Sequence, residues 1–390
     1  MSTTETVRRD VPVAAAGQPQ RTRSRLASRV LDISVRSLFP VVLALGAGAV
    51  LLLALGRNPI TFYGDVWEGG VSGGGWDAWQ DSAIRMAPLL LIAAGLTVVF
   101  RANIWNLGYN GQFLLAAAVV TGYGPTLTNH LPLWFAMLIL FLAAGATGAV
   151  WTLPPAILKA RYGTNEIITT LMMSFIGVDL ASLLIKGPFQ DPAVTIPQTR
   201  VIDFDKMLPA IPGTRIHIGL LVALGAIVVI QFLMTRTAWG LRLRIMGANP
   251  RAARHFGVNL PRLIVTAFLA SGFLIGLAAA VDFLGLWGYI RGGQNPGYGD
   301  TVIPFIFLAR LNPLAVVPFI AFFSVLSVGG DLAATNANLS TDFLLVLVGL
   351  ILLFMTVIEY LGRRRDLGGS YLPPGLRESL RAPLFRRRRK

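Results

Sequence analysis

Long apolar segments recur along the whole chain, and they constrain its fold more than any other feature of the sequence. A helix needs about 20 apolar residues to cross the hydrocarbon core of a bilayer. The sequence has ten such segments, of which the eighth is too short to cross alone: 37–56, 83–100, 107–123, 131–153, 166–186, 216–234, 263–288, 301–309, 314–330 and 343–361. They predict an all-α polytopic membrane protein with about ten transmembrane helices.

Basic residues are concentrated in three segments outside these spans. Seven arginines lie in residues 1–36, nine arginines and one lysine in residues 362–390, and six arginines in the loop 235–262. The positive-inside rule places all three segments in the cytoplasm. We therefore predict a basic N-terminal tail, a transmembrane domain over 37–361 and a basic C-terminal tail, with both termini cytoplasmic.

Composition excludes several other classes of protein. Only 14% of the residues are charged, although the net charge is +15, whereas a soluble domain is about one quarter charged. The basic residues flank apolar runs and are not interleaved with aromatic ones, so lipid headgroups rather than nucleic acid are the expected partner.

The sequence also lacks the residues that an enzyme would bring together. It has no cysteine, and its three histidines, His130, His217 and His255, are far apart and are expected in loops or at the membrane interface. No HExxH or GxxxxGK[ST] motif occurs. We predict a non-catalytic protein without a metal or cofactor, for which any ATP would be hydrolysed on another subunit.

The loop 235–262 contains a predicted short amphipathic helix. Asn249 suits the cap, Pro250 is tolerated in the first turn, and Gly257 suits the end. Gly240 and Gly247 are expected to permit tight turns upstream. The residues themselves leave two interpretations open, a helix lying on anionic lipid and a coupling helix inserted into an ATPase. The candidate coupling residues are Gly240, Arg242, Gly247, Asn249, Pro250, Arg251, Arg254 and Gly257.

Glycine-rich segments predict two kinds of local structure. The pairs Gly145-x-x-Gly148 and Gly272-x-x-x-Gly276 would let the backbones of two helices approach closely. The segment 65–81 is expected to form either a flexible loop with tryptophans at the headgroup level or a landing surface for an extracytoplasmic partner. Its tryptophans are Trp67, Trp76 and Trp79.

Polar residues inside the predicted spans are candidates for a solute pathway, because such groups are costly in lipid. Amides and glycines at the start of the third span could line a helix break, or the amides could link helices. Asp179 and Asp282 could bind a solute hydroxyl or neutralise a cation such as Arg85 or Lys186. The aromatic residues after Asp282 could stack on a solute ring or form an interface belt. The candidate pathway residues are Asn103, Asn106, Gly108, Asn110, Gln112, Asp179, Asp282, Trp287 and Tyr298.

Four stretches of the sequence, in this order, resemble one family of transporters. They are NIWNLGYNGQ at 103–112, NEIITTLM at 165–172 with GPFQDP at 187–192, GANPRAARHFG at 247–257, and GYG at 297–299 with LARLNP at 308–313. Together they are similar to the permeases for nucleosides and simple sugars among binding-protein-dependent ABC importers. The resemblance implies an ABC importer permease-like bundle in the bacterial inner membrane that takes up a nucleoside or a related small polar solute.

The resemblance also implies partners. A cytoplasmic ATPase and an extracytoplasmic substrate-binding protein are expected, and the length of the chain resembles the longer of two paired permeases, which implies a heterodimer with a shorter sister subunit. The alternatives are a permease for branched-chain amino acids or ribose and, in a different class, an ion-coupled secondary transporter. The last would require internal repeats and buried carboxylates.

Two residues depart from the pattern of the family. Asn110 stands where the family has an acidic residue, and Asp300 stands where it usually has an apolar or aromatic one. Both positions fall where a solute could pass. They therefore leave the identity of the solute open.

Overall fold

The computed structural model describes residues 38–340 and 343–366, and within them the chain is a bundle of α-helices without a β-strand. Five-residue π-helices, Glu68–Ser72 and Phe283–Trp287, follow α2 and α12. In chain order the helices are α1 (Leu38–Ala54), α2 (Pro59–Trp67), α3 (Gly73–Trp76), α4 (Ala78–Arg101), α5 (Tyr109–His130), α6 (Leu133–Trp151), α7 (Leu153–Tyr162), α8 (Glu166–Lys186), α9 (Gly219–Arg236), α10 (Ala238–Ala248), α11 (Pro250–His255), α12 (Leu260–Asp282), α13 (Tyr298–Leu308), α14 (Pro313–Asn336) and α15 (Phe343–Asp366).

Six stretches of the described chain are helical, long and apolar enough to cross a membrane. They are α4, the pair α6–α7, α8, α9, α12 with its π-helix, and α14. The apolar parts of α1, α13 and α15 are shorter, and α5 has 22 residues of more polar composition. Each of the ten predicted segments overlaps one of these helices. The prediction of a helical protein with several membrane spans is therefore confirmed.

Helices α4 and α12 form the centre of the bundle. All residues of α4 from Ala87 to Phe100 are buried, as expected for a helix that is apolar on every side. It packs against α9, α12, α13 and α14, while α12 also packs against α5 and α6. Arg85 and Asp282 lie on these two helices.

The glycine pairs predicted to allow close packing face each other across α6 and α12. A Cβ atom placed on Gly148 would overlap the carbonyl oxygen of Gly272, and one on Gly276 would overlap the carbonyl oxygen of Ala144. No side chain larger than hydrogen fits at these contacts. The predicted close approach is thus confirmed, and it joins two helices for which lipid provides no hydrophobic driving force.

The glycine-rich segment 65–81 is mostly helical and packed, with a turn at Gly74 and Gly75, whose φ angles are 63° and 75°, so the expectation of a loop over the whole segment is wrong. It comprises the end of α2, a π-helix and α3, and it leads directly into α4. A Cβ atom on Gly70 would lie 2.6 Å from the carbonyl oxygen of Val325 in α14, and the Ser82 hydroxyl donates to the Gly70 carbonyl at 2.7 Å. Gly69 and Gly70 allow close packing against α14, a role that the sequence does not distinguish from turn formation.

Helix α13 is about half as long as a membrane span requires, whereas α14 is long enough to cross the bilayer. Pro313 stands at the start of α14, while Pro304 and Pro318 lie inside helices. The 11 residues of α13 span about 16 Å, roughly half the hydrocarbon thickness. After α13 ends, the Leu311 carbonyl accepts from Arg101 Nη1 at 3.5 Å. The prediction of a partial eighth span agrees with this geometry.

Candidate functional site

The loop 235–262 forms two helices at one end of the bundle, here called the α11 face. Asn249 begins α11, and its Oδ1 accepts from the backbone N–H groups of Arg251 and Ala252 at 3.0 and 3.1 Å. Pro250 occupies the first turn, and Gly257, with a left-handed φ of 73°, follows the helix. The predicted short helix, with its cap, proline and terminating glycine, is confirmed.

Gly240 and Gly247 lie inside α10, so the expectation that they form tight turns is wrong. A Cβ atom on Gly247 would lie 2.5 Å from the carbonyl oxygen of Arg101 at the end of α4. One on Gly240 would overlap the carbonyl oxygen of Leu233 in α9. Both glycines are needed because α10 lies directly against other backbone. The loop is thereby packed onto the end of the central helix α4.

An open groove of about 910 Å³ separates α11 from the start of α8. Lys159 of α7 and Glu166 of α8 form an ion pair of 2.7 Å on its wall. Arg161 and Arg254 add positive charge to the lining. Asn103, a residue with a left-handed φ of 55°, also lines this groove, so the structure separates it from the other predicted pathway amides.

Asn106 and Gln112 form a buried amide pair inside the bundle. Gln112 Nε2 donates to Asn106 Oδ1 at 2.9 Å, and Asn106 Nδ2 donates to Gln112 Oε1 at 3.2 Å and to the Ser271 hydroxyl at 3.1 Å. Asn106 Oδ1 also accepts from the Gly108 N–H at 3.1 Å. These bonds connect the start of α5 with α12. For these two amides the geometry agrees with the helix-linking interpretation.

Helix α5 begins only at Tyr109, after the non-helical residues 104–108. These residues connect α4 to α5, and α5 itself continues through Gly111 without a break. Gly111 lies against α8, and a Cβ on it would come within 2.7 Å of the Ser174 carbonyl oxygen. The first turn of α5 lies beside the first turn of α13, where Tyr109 contacts Gly299 and Asp300.

Asp300 joins these two helix starts. Its Oδ1 accepts from the Tyr109 hydroxyl at 2.5 Å, and its Oδ2 accepts from Asn110 Nδ2 at 3.2 Å. Asn110 is partly exposed and Asp300 is exposed. The two residues that depart from the family pattern are therefore hydrogen-bond partners. The sequence identified both positions, but it did not indicate that they meet, since 190 positions separate them.

A second polar cluster connects four helices. Asp282 is buried and accepts from the Tyr298 hydroxyl at 3.4 Å, while the same hydroxyl accepts from Arg85 Nη1 at 3.2 Å. Arg85 Nη2 lies 3.7 Å from Asp331. The geometry favours the interpretation that Asp282 neutralises the charge of Arg85. The two side chains are connected indirectly, by the Tyr298 hydroxyl. Asp331, at the end of an apolar span, was missed by the sequence analysis.

The two remaining pathway candidates lie apart from these clusters. Asp179 is on the exposed side of α8. Trp287 ends the π-helix that follows α12 and is 38% exposed. Neither contacts the amide pair directly in the described part of the chain.

The end of the bundle away from the α11 face is covered by residues 187–218. The Leu208 N–H donates to the Leu284 carbonyl at 2.9 Å, and both carboxylate oxygens of Asp81 accept from Arg215 Nη2 at 2.7 and 2.8 Å. His217 is buried nearby, and its burial lowers its pKa to about 4. The Asp81–Arg215 contact joins residues 134 positions apart, and the sequence carries no local signal for it.

A bundle of helices with several long and apolar enough to cross a bilayer, and with polar groups buried among them, defines a multi-pass membrane protein. Residues 80–356 match the family described as branched-chain amino acid transport system / permease component. The chain belongs to this family and is a multi-pass inner-membrane protein.

Three relatives narrow the classification. The chain is 32% identical to a glucose ABC transporter permease protein of Haloferax volcanii, over 83% of this chain and 87% of the relative. It is 28% identical to a guanosine ABC transporter permease protein of Bacillus subtilis, over 82% and 91%. It is 25% identical to a nucleoside ABC transporter permease protein of Lactococcus lactis, over 82% and 90%. The predicted similarity to nucleoside and simple-sugar ABC importer permeases is confirmed.

Proposed function

We propose that this chain is the transmembrane subunit of an ATP-driven importer for a nucleoside or a related sugar-like solute, delivered by an extracytoplasmic binding protein. The observation that carries the proposal is the capped helix α11, which is connected through α10 to the end of the central helix α4. A rigid helix held in this way can transmit motion of a cytoplasmic ATPase to the spans. The relatives named above support the class of solute.

The proposed topology has ten spans, with the α11 face in the cytoplasm. Six arginines and no acidic residue in the loop 235–262 support this orientation. The basic tails 1–36 and 362–390 then belong on the same side of the membrane; both lie outside the described residues. The half-length α13 would enter from the opposite face and end at the cytoplasmic one.

The coupling residues are proposed to act in three ways. Gly240 and Gly247 would hold α10 against α9 and α4. Asn249, Pro250 and Gly257 would shape α11, and Arg242, Arg251 and Arg254 would contact the ATPase or lipid. The groove behind α11, lined by Lys159 and Glu166, would give the helix room to move.

The solute pathway is proposed to follow the surface that exposes Asn110, Asp179 and Asp300. Carboxylates at this depth are costly in lipid, so this surface should face water or another protein subunit. A second, shorter permease would cover it, as the heterodimer expectation requires. Asn106, Gly108 and Gln112 would support the pathway from behind, with Asp282, Tyr298 and Trp287 nearer the outer face.

The contacts of the buried carboxylates do not favour transport driven by an ion gradient. Its strongest candidates, Asp282 and Asp331, share Arg85 as a counter-charge. A carboxylate already balanced by arginine is poorly suited to binding a transported cation.

The first test is purification of the tagged chain from its native membrane, with mass spectrometry of the proteins that come with it. We expect an ATPase and a second permease, and ATP-dependent uptake of a nucleoside after reconstitution with the binding protein. A chain that is recovered alone and moves solute in liposomes without ATP would contradict the proposal.

A further inference from the structure

Asp300 is an exposed carboxylate within the depth of the membrane. It lies in the first turn of α13, eight residues before Leu308, which is about 12 Å along a helix. The chain just beyond α13 contacts Arg101, the last residue of the full-length helix α4. Asp300 is therefore well inside the bilayer rather than at its surface. An exposed carboxylate there requires water or a polar partner.

The carboxylate is held in one orientation by two donors from the neighbouring helix. Tyr109 donates to Oδ1 and Asn110 to Oδ2. An ionised carboxylate is only an acceptor, and each oxygen can accept more than one bond. Both donors lie on the α5 side of Asp300. The remaining lone pairs of its carboxylate oxygens are therefore available at the open surface.

We propose that Asp300 sets the charge selectivity of the pathway, with Tyr109 and Asn110 as positioning residues. The carboxylate accepts hydrogen bonds from hydroxyl or amino groups of a neutral or cationic solute. It repels phosphorylated or carboxylated solutes. This inference rests on the proposed function and deepens it, because it identifies the residue that distinguishes a nucleoside from its phosphate.

The absence of cysteine from the chain allows the charge at this site to be measured without knowing the solute. Ile303 is one turn beyond Asp300 and partly exposed, and residues three apart lie on the same helix face. Ile303→Cys therefore places a single thiol beside Asp300. In native membrane vesicles containing the full complex, its modification rates by a trimethylammonium-ethyl and a sulfonatoethyl methanethiosulfonate are compared. The ratio of the two rates cancels differences in the reactivity of the thiol itself.

The cationic reagent should react faster, and adding Asp300→Asn should lower the ratio about tenfold. Tyr109→Phe is the matched control, because it removes a donor but keeps the charge and should leave the ratio near its original value. The exchange Asn110→Asp with Asp300→Asn should restore the ratio, which also shows that the site remains folded. An unchanged ratio in Asp300→Asn, or a thiol that reacts with neither reagent, would overturn the proposal.

A transport assay extends this result to the solute. With adenosine and adenosine 5′-monophosphate as probes, Asp300→Asn should raise uptake of the monophosphate relative to that of the nucleoside. The thiol measurement reports the charge beside Asp300 and requires no knowledge of the solute, whereas the importer proposal is tested by recovery of the partners and by ATP-dependent uptake. Failure of one therefore remains distinguishable from failure of the other.

Discussion

Several glycines inside helices stand where no side chain fits, while others have free space around them. Gly148 of α6 touches the backbone of α12, whereas Gly225 of α9 has no heavy atom within 4 Å of the position of a Cβ. Both residues are helical, so the same substitution tests packing at one site and helix propensity at the other.

Gly148→Ala should lower the free energy of unfolding by about 1–3 kcal/mol, the usual cost of overpacking. Gly225→Ala should be neutral or stabilising by up to about 1 kcal/mol, because alanine favours a helix. Thermal unfolding of the purified protein in detergent measures both. Equal melting temperatures for the two variants would contradict the close contact between α6 and α12.

His217 makes stability depend on pH. Its two ring nitrogens have no hydrogen-bond partner among the described residues, and burial lowers its pKa from 6.5 to about 4. The unfolded chain therefore binds a proton below pH 6.5, where the folded chain does not. Stability should be highest above pH 6.5 and fall by up to about 3 kcal/mol as pH decreases to 4.

The measurement for His217 is the melting temperature between pH 4 and pH 7. His217→Leu, which cannot be protonated, should flatten the dependence in this window. A variant with the same slope as the natural chain would assign the pH effect to other groups.

At the scale of elements, α11 depends strongly on its cap because it has only six residues. Asn249→Ala should remove about 1 kcal/mol of helix stability and should reduce the solute transported per ATP hydrolysed, with assembly intact. Asn58 caps α2 in the same way, accepting from the Ile60 N–H at 2.9 Å before a proline. Asn58→Ala is therefore the control, and an equal loss of coupling in both variants would remove α11 from the coupling role.

The sequence predicted elements better than the contacts between them. Apolar length located the helices, and Asn249-Pro250 with Gly257 located α11, because these signals are local. It misjudged Gly240, Gly247 and much of the segment 65–81. Whether a glycine forms a turn or a close helix contact depends on a partner distant in the chain. For the same reason it named Asn110 and Asp300 separately and missed the role of Asp331.

At the scale of the whole molecule, α4 connects the two ends of the bundle. Its last residue supports α10 at the α11 face, and Asp81 in its first turn binds Arg215 at the other end. Between them, Arg85 links α4 with α12, α13 and α14. A displacement of α10 is therefore expected to reach the opposite face along this single helix.

Arg85→Gln should destabilise the molecule more than Asp331→Asn does. Losing Arg85 leaves Asp282 buried without its counter-charge, and breaking a buried ionic cluster costs about 3–5 kcal/mol. The Asp331 side chain is 50% exposed, so water can replace the interaction with Arg85 that Asp331→Asn weakens. Melting temperatures of both variants in detergent check this order, and the reverse order would contradict a central role for Arg85.

The bond between Asn110 and Asp300 has an evolutionary consequence. A second carboxylate at position 110 would stand within bonding distance of the first, so an acid at either position disfavours an acid at the other. Lineages should therefore exchange the acid between the two positions through an intermediate that has none, and the two positions should covary among descendants. A mutant library intended to change the transported solute will sample this site efficiently only if it randomises both codons together.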